Sequence, residues 1–178
     1  MAIVTVKSTA IGNRDSTPPV LNDGRLERST LESGTGVVQV GAADSATSYY
    51  PMVSVPSSAI VRDISVSCPA GMSTLAGNVG VFKNTKDSGG VALGTVANTG
   101  SGTFFASAQS FATAQNRTDV TNQSGNNTSA KREQPIWQAI GLTSDPNTTF
   151  DIGITVTTAN TGVAGNIALE VRYADNSN

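Results

Sequence analysis

Two stretches near the end of the chain alternate apolar and polar residues so regularly that they restrict the choice of fold. In Thr149–Thr157, the residues Phe150, Ile152, Ile154 and Val156 share one parity; in Asn166–Tyr173, Ile167, Leu169, Val171 and Tyr173 do the same. A period of two is that of a strand with one buried face. Such a strand needs a second layer to cover it. The turn residues Asn160-Thr161-Gly162 lie between the two stretches, which therefore read as adjacent antiparallel strands.

Shorter runs repeat the signal: Val37–Val40, Tyr49–Val55, Ala59–Cys68, Gly77–Lys83 and Val91–Val96. Pro51 marks the second of these as an edge strand or a bulged one, because proline has no N–H for a ladder. In the third, Ile60, Ile64 and Val66 share a face that Arg62 interrupts. Many short strands with polar turns predict an all-β chain, an antiparallel β-sandwich of jelly-roll type. Composition agrees: only 13% of residues are charged, where a helical bundle would carry more Glu, Lys, Arg and Leu. A chain of 178 residues suits one domain whose core needs no disulfide or metal to fold.

Three segments depart from the strand pattern. In Lys131–Leu142, Pro135 opens and Gly141 ends an apolar face formed by Ile136, Trp137, Ala139 and Ile140, which predicts one short helix with Trp137 closing an end of the core. Thr103–Ala112 fits a short helix and an irregular crossing equally, and Asn116–Ala130 is polar and lacks apolar anchors after Val120, so it reads as a long loop. Residues 1–35 carry eight charged side chains, the pair Pro18-Pro19 and, after a short strand Ile3–Val6, no sustained period. The domain reading is accordingly an extended N-terminal arm, 1–35, and a sandwich, 36–178. Either the arm lies along another surface or it wraps its own domain as an irregular first strand.

Catalytic chemistry has little to work with. The chain has no histidine, which removes the commonest general base and transition-metal ligand. The acids form no spacing typical of a glycosidase pair, and Asp119, Asp145 and Asp151 lie in no Asp-x-Asp-x-Asp-Gly loop. No enzyme activity, cofactor or metal is expected. A net charge of −2 argues against a nucleic-acid partner, and no apolar run reaches the length of a membrane span. The start lacks a basic region followed by a continuous apolar stretch, so classical export is not expected. The lone Cys68 reads as a small side chain in a strand. The charged residues of the arm, Arg14, Asp15, Arg25 and Arg28, and the cluster Lys131, Arg132 and Glu133 are the candidates for touching a partner; for the cluster the plain alternative is a solvated flank whose pairs contribute less than about 1 kcal/mol each.

Several motifs occur together in a consistent order: Ala2-Ile3-Val4-Thr5-Val6-Lys7-Ser8-Thr9 with Asn13-Arg14-Asp15 and Pro18; Val53–Ser57; Val79–Phe82; Phe104–Ala108; Thr118–Thr121; Lys131–Leu142; and Phe150–Ile152. With these the chain resembles the small virion proteins of tailed bacteriophages that decorate or cement the capsid. The resemblance spans most of the chain. It implies a β-sandwich bound as an oligomer, a trimer or dimer, to the outer capsid surface, with the major capsid protein and other copies of itself as partners and no catalytic residues. The alternative is a phage tail or head-fibre module that binds a host surface glycan through the polar loop 116–130.

Overall fold

The computed structural model describes residues 7–27, 29–84 and 101–175. Eight strands form two four-stranded antiparallel sheets: β1 (Leu31–Val40), β2 (Tyr49–Pro56), β3 (Ile60–Cys68), β4 (Ala76–Lys83), β5 (Ala106–Ser110), β6 (Gln115–Asp119), β7 (Thr149–Thr158) and β8 (Gly165–Ala174). One sheet has the order β1-β8-β3-β6, the other β2-β7-β4-β5. Successive strands change sheet at every step but the one from β4 to β5. That interleaving is the jelly-roll form of a β-sandwich.

The alternation in the last two strands is real, since Phe150, Ile152, Ile154, Val156, Ile167, Leu169 and Val171 are all buried. Their predicted adjacency is not. β7 pairs with β2 and β4, whereas β8 pairs with β1 and β3, in the opposite sheet. The connection is tied to another turn instead of closing a hairpin. Thr161 and Val163 donate backbone N–H bonds to the carbonyls of Ser73 and Gly71, and the buried Asn160 side chain donates to the carbonyls of Gly41 and Val163. These bonds carry the chain from one sheet to the other. Alternation records a buried face but not the strand alongside.

Irregularities fall where the residues demand them. β2 is an edge strand, and its pairing with β7 slips between Pro51 and Val53. The pairing of β3 with β8 slips between Val61 and Asp63, so that Val61 is buried along with Ile60 and Ile64 while Arg62 points outward. This bulge accounts for the charged interruption in the best-patterned strand.

Among the described residues there are three short α-helices where a single one is expected: α1 (Thr9–Arg14), α2 (Gly24–Glu27) and α3 (Ile136–Ala139). α3 is the predicted one. It docks on the turn between β2 and β3, where the backbone N–H groups of Ile136 and Trp137 donate to the carbonyls of Ala59 and Ser57. Ile136, Ala139 and Ile140 plug the end of the core, and Trp137 packs half-buried beside them. α1 arises because the Ser8 side chain accepts from the Ile11 N–H at its start. β1 begins at Leu31, well before the Val37 expected from pattern, because Gly34 and Gly36 on its inner side hide the alternation.

The segment 103–112 resolves into a 3₁₀ turn, Ser101–Thr103, followed by β5, with Phe104, Phe105 and Phe111 buried on either side of it. The expected long loop contains β6, and the rest is a compact turn. There polar side chains supply the anchors: the Ile64 N–H donates to the Thr121 hydroxyl, Asn127 donates to the Thr121 carbonyl, and Ser124 donates to the Phe104 carbonyl. Thr121 and Asn127, the buried polar side chains of this turn, thereby have partners. The predicted strands Ile3–Val6 and Val91–Val96 lie outside the described residues.

The two glycines of β1 allow close approach of the sheets. A Cβ on Gly36 would lie 2.2 Å from the Met52 carbonyl oxygen, and one on Gly34 would lie 2.6 Å from a Val53 methyl. Gly36→Ala is therefore expected to lower stability by about 1–3 kcal/mol. Gly12→Ala, in α1 with open space around it, is expected to be neutral or to stabilise by up to about 1 kcal/mol. Urea unfolding of the two variants checks the contrast.

Candidate partner-binding surface

Residues 7–27 fold on themselves before they touch the sandwich. Asn22 joins the two helices: its carbonyl accepts from Asn13, and its amide donates to Glu27 at 2.6 Å and to the Ala10 carbonyl. At the end of α1, Lys7 and Arg14 both pair with Asp15, at 2.9 and 2.8 Å. Arg14 first, and then Lys7, hold that carboxyl below its usual pKa. Pairs this exposed contribute little energy. α1 buries none of its side chains.

The attachment to the sandwich is polar. Arg25 grips Asp23 through Nε and Nη2, with the shortest contact 2.6 Å, and its Nη1 donates to the Ser58 carbonyl at 2.8 Å. Arg62 donates to the Arg25 carbonyl at 2.7 Å, and Arg132 to the Arg62 carbonyl at 2.8 Å. A relay of guanidinium-to-carbonyl bonds thus links the turn before α3, β3, α2 and the turn between β2 and β3. A groove of about 300 Å³ lies beside it, lined by residues of α1 and by Asn22, Asp23, Glu27, Arg62 and Glu133.

Of the residues predicted to meet a partner, the structure brings Arg25, Arg132 and Glu133 to this one end of the molecule. Arg14 and Asp15 form their own pair at the end of α1. Lys131 turns toward the sandwich, with its ammonium 5.2 Å from the Phe104 ring centre, where it caps the core edge. Arg28 lies outside the described residues. Arg62, which the candidate set omits, is central, and the signal for it was its intrusion into the apolar parity of β3. Asn22 left no such trace, because a lone Asn in a polar segment is indistinguishable from any turn residue.

Apolar exposure is concentrated in the same part of the chain. Among the described residues, the exposed large hydrophobics are Ile11, Val20, Leu21, Leu31, Val37 and Val163, and Leu21 is 96% exposed. All but Val163 belong to residues 11–37. By contrast, the outer face of β8 carries a charge ladder: Glu170 pairs with Arg172 and with Arg117, both at 3.0 Å, and Arg172 reaches Asp63 at 3.8 Å. Ile11, Val20 and Leu21 lie on the segment held by polar bonds, and Leu31 and Val37 on β1; exposed apolar side chains on such a segment suit contact with another protein.

No three His, Cys, Asp or Glu side chains among the described residues group as metal ligands would. Burial raises the pKa of the Cys68 thiol, which sits inside the sandwich without a disulfide partner.

The attachment responds to acid in a definite direction. The Arg25 guanidinium lowers the Asp23 pKa from the ordinary 3.8, so Asp23 binds fewer protons folded than unfolded. Its stabilisation is in place above that value and is lost as pH falls through the lower, folded one. Below about pH 4, cleavage by pepsin within residues 16–30 is expected to rise while the sandwich stays folded. Asp23→Asn should raise cleavage of the same segment by thermolysin at pH 7, with the unfolding midpoint in urea nearly unchanged.

Neither a family model nor a curated protein sequence matches the chain. Among solved structures, a chain of the cyanophage Pam1 capsid asymmetric unit is similar at 17% identity with a TM-score of 0.52, and the superposition covers 87% of this chain and 91% of that one. At that identity the likeness concerns the fold: two chains of nearly the same extent share one sandwich.

Proposed function

We propose that this chain is a structural virion protein that binds the outer surface of a phage capsid and stabilises it, as decoration or cement proteins do. The observation that carries the reading is the exposure of Ile11, Val20 and Leu21 on a segment that polar bonds hold against the sandwich. The likeness in fold, over 87% of this chain, to a chain from a capsid assembly supports it, as do the motifs of the N-terminal segment.

In this account the part of the expected arm that precedes β1 latches onto the major capsid protein or a neighbouring copy while the sandwich, which takes in residues 31–35 as the start of β1, bridges subunits. Ordering a free arm on binding costs roughly 1–2 kcal/mol per residue fixed. The helices α1 and α2 are already joined through Asn22, so much of that ordering precedes contact. Many copies on a symmetric shell then act together. No catalysis enters the account.

The glycan-binding alternative fares worse on a specific count. Sugar recognition of the kind considered uses exposed aromatic rings, yet none of the nine aromatic side chains is exposed. Tyr49 packs on Phe82, the Tyr50 hydroxyl bonds Asp44, and Trp137 packs on the core. In loop 116–130, Thr118, Thr121, Ser124, Asn126 and Asn127 spend side-chain groups on internal bonds.

Purified protein mixed with undecorated shells is expected to co-sediment saturably and to raise their resistance to heat and low salt. Deleting residues 2–30 should abolish binding while circular dichroism shows the sandwich intact. Full-strength binding by the truncated chain would contradict the latch, and no binding by the folded full chain would contradict the capsid role.

A further inference from the structure

Against β8, β3 departs from regular pairing at one place, between Val61 and Asp63. Ile60 and Ile64 are both buried, so an unbroken strand would aim position 62 at the core with them. The bulge turns it outward instead, and re-aiming a side chain is what bulges do. The guanidinium so placed donates to the Arg25 carbonyl at 2.7 Å.

That bond is half of a reciprocal clasp. Arg25 donates from the N-terminal segment to the Ser58 carbonyl of the sandwich at 2.8 Å, and Arg62 donates from the sandwich back to the segment. Two attachments running in opposite directions restrain α2 against rotation, where a single one would leave a swivel. The Arg25 carbonyl also accepts from the Ser29 hydroxyl at 2.9 Å, which ties the chain just before β1 to the same point. α2 is joined to α1 through Asn22, which donates to Glu27 and to the Ala10 carbonyl and accepts from Asn13. Position therefore passes from the bulge of β3 through α2 to α1, and with α1 to the exposed Ile11, Val20 and Leu21.

We infer that Arg62 is the positioning residue of the partner-binding segment: it sets the posture in which Ile11, Val20 and Leu21 meet the partner, without itself meeting it. The inference rests on the reading of this segment as the capsid contact. A segment already held in its bound posture has less conformational entropy to lose on binding. Apparent affinity scales with the fraction of molecules in that posture, and loss of a hydrogen bond from a charged donor changes such a fraction by about tenfold.

Amide hydrogen exchange of the free full-length protein and co-sedimentation with undecorated shells, each on Arg62→Ala, Arg62→Lys and Leu21→Ala, separate positioning from contact. Arg62→Ala is expected to speed exchange in residues 9–27 of the free protein and to weaken shell binding by about tenfold at unchanged saturation, with the urea midpoint of the sandwich nearly unchanged. Arg62→Lys, whose ammonium can still donate to the Arg25 carbonyl, should recover most of both losses. Leu21→Ala should weaken binding while exchange in the free protein stays as in the wild type, the signature of a contact. Shell binding by Arg62→Ala at wild-type strength overturns the inference. Weakened binding with unchanged exchange also overturns it, since Arg62 would then be a contact, and so does a fall in the urea midpoint, since Arg62 would then be structural. Failure of the wild-type chain to bind shells contradicts the capsid reading alone; exchange in free Arg62→Ala still decides whether Arg62 sets the posture of the segment.

Discussion

β7 and β8 are inner strands, one in each sheet, on which the sandwich is built. Each pairs with a neighbour on both sides, and both contribute to one cluster of buried side chains between the sheets. Because they are consecutive in sequence yet sit in opposite sheets, the turn between them must span the sandwich. Asn160 makes that crossing possible by satisfying the carbonyls of Gly41 and Val163 from a buried position. Close contact between β1 and β2 then depends on Gly34 and Gly36, where any side chain would strike the opposing sheet.

The parts of the structure that a partner would meet are peripheral to this core. The end of the sandwich is closed by α3 and by Phe104 and Phe105, which pack edge to face with ring centres 4.9 Å apart. Outside that closure, the guanidinium groups of Arg25, Arg62 and Arg132 bond to backbone carbonyls in series. Arginine suits this task because its planar fork donates in several directions at once while part of the side chain stays in water. The N-terminal segment is held in place without burying α1, which leaves Ile11, Val20 and Leu21 available to another surface.

What was legible in the sequence follows the physics of each element. Strands with strict alternation, β7 and β8, were read almost to the residue, because one-sided burial writes a period of two. Their partners were not, since alternation is silent on which strand lies alongside. The Arg62 interruption was visible, but its meaning, a bulge that turns the guanidinium toward Arg25, needed the register. β6 and the turn after it were missed because their anchors are Thr121, Ser124 and Asn127, whose hydrogen bonds replace apolar contacts. α1 escaped because none of its side chains is buried, and what holds it is a cap and a side-chain amide. The proposed partner residues Arg25, Arg132 and Glu133 converged on one end, whereas Lys131 turned inward to an aromatic ring.

The central claim is that the N-terminal segment and its apolar side chains are the surface that meets a capsid. Amide hydrogen exchange of the protein, free and bound to undecorated shells, addresses it residue by residue. Slowed exchange confined mainly to residues 7–30 is the predicted result. Binding that leaves this segment unchanged and instead protects loop 116–130 would contradict the account and move the contact to the opposite reading of the molecule.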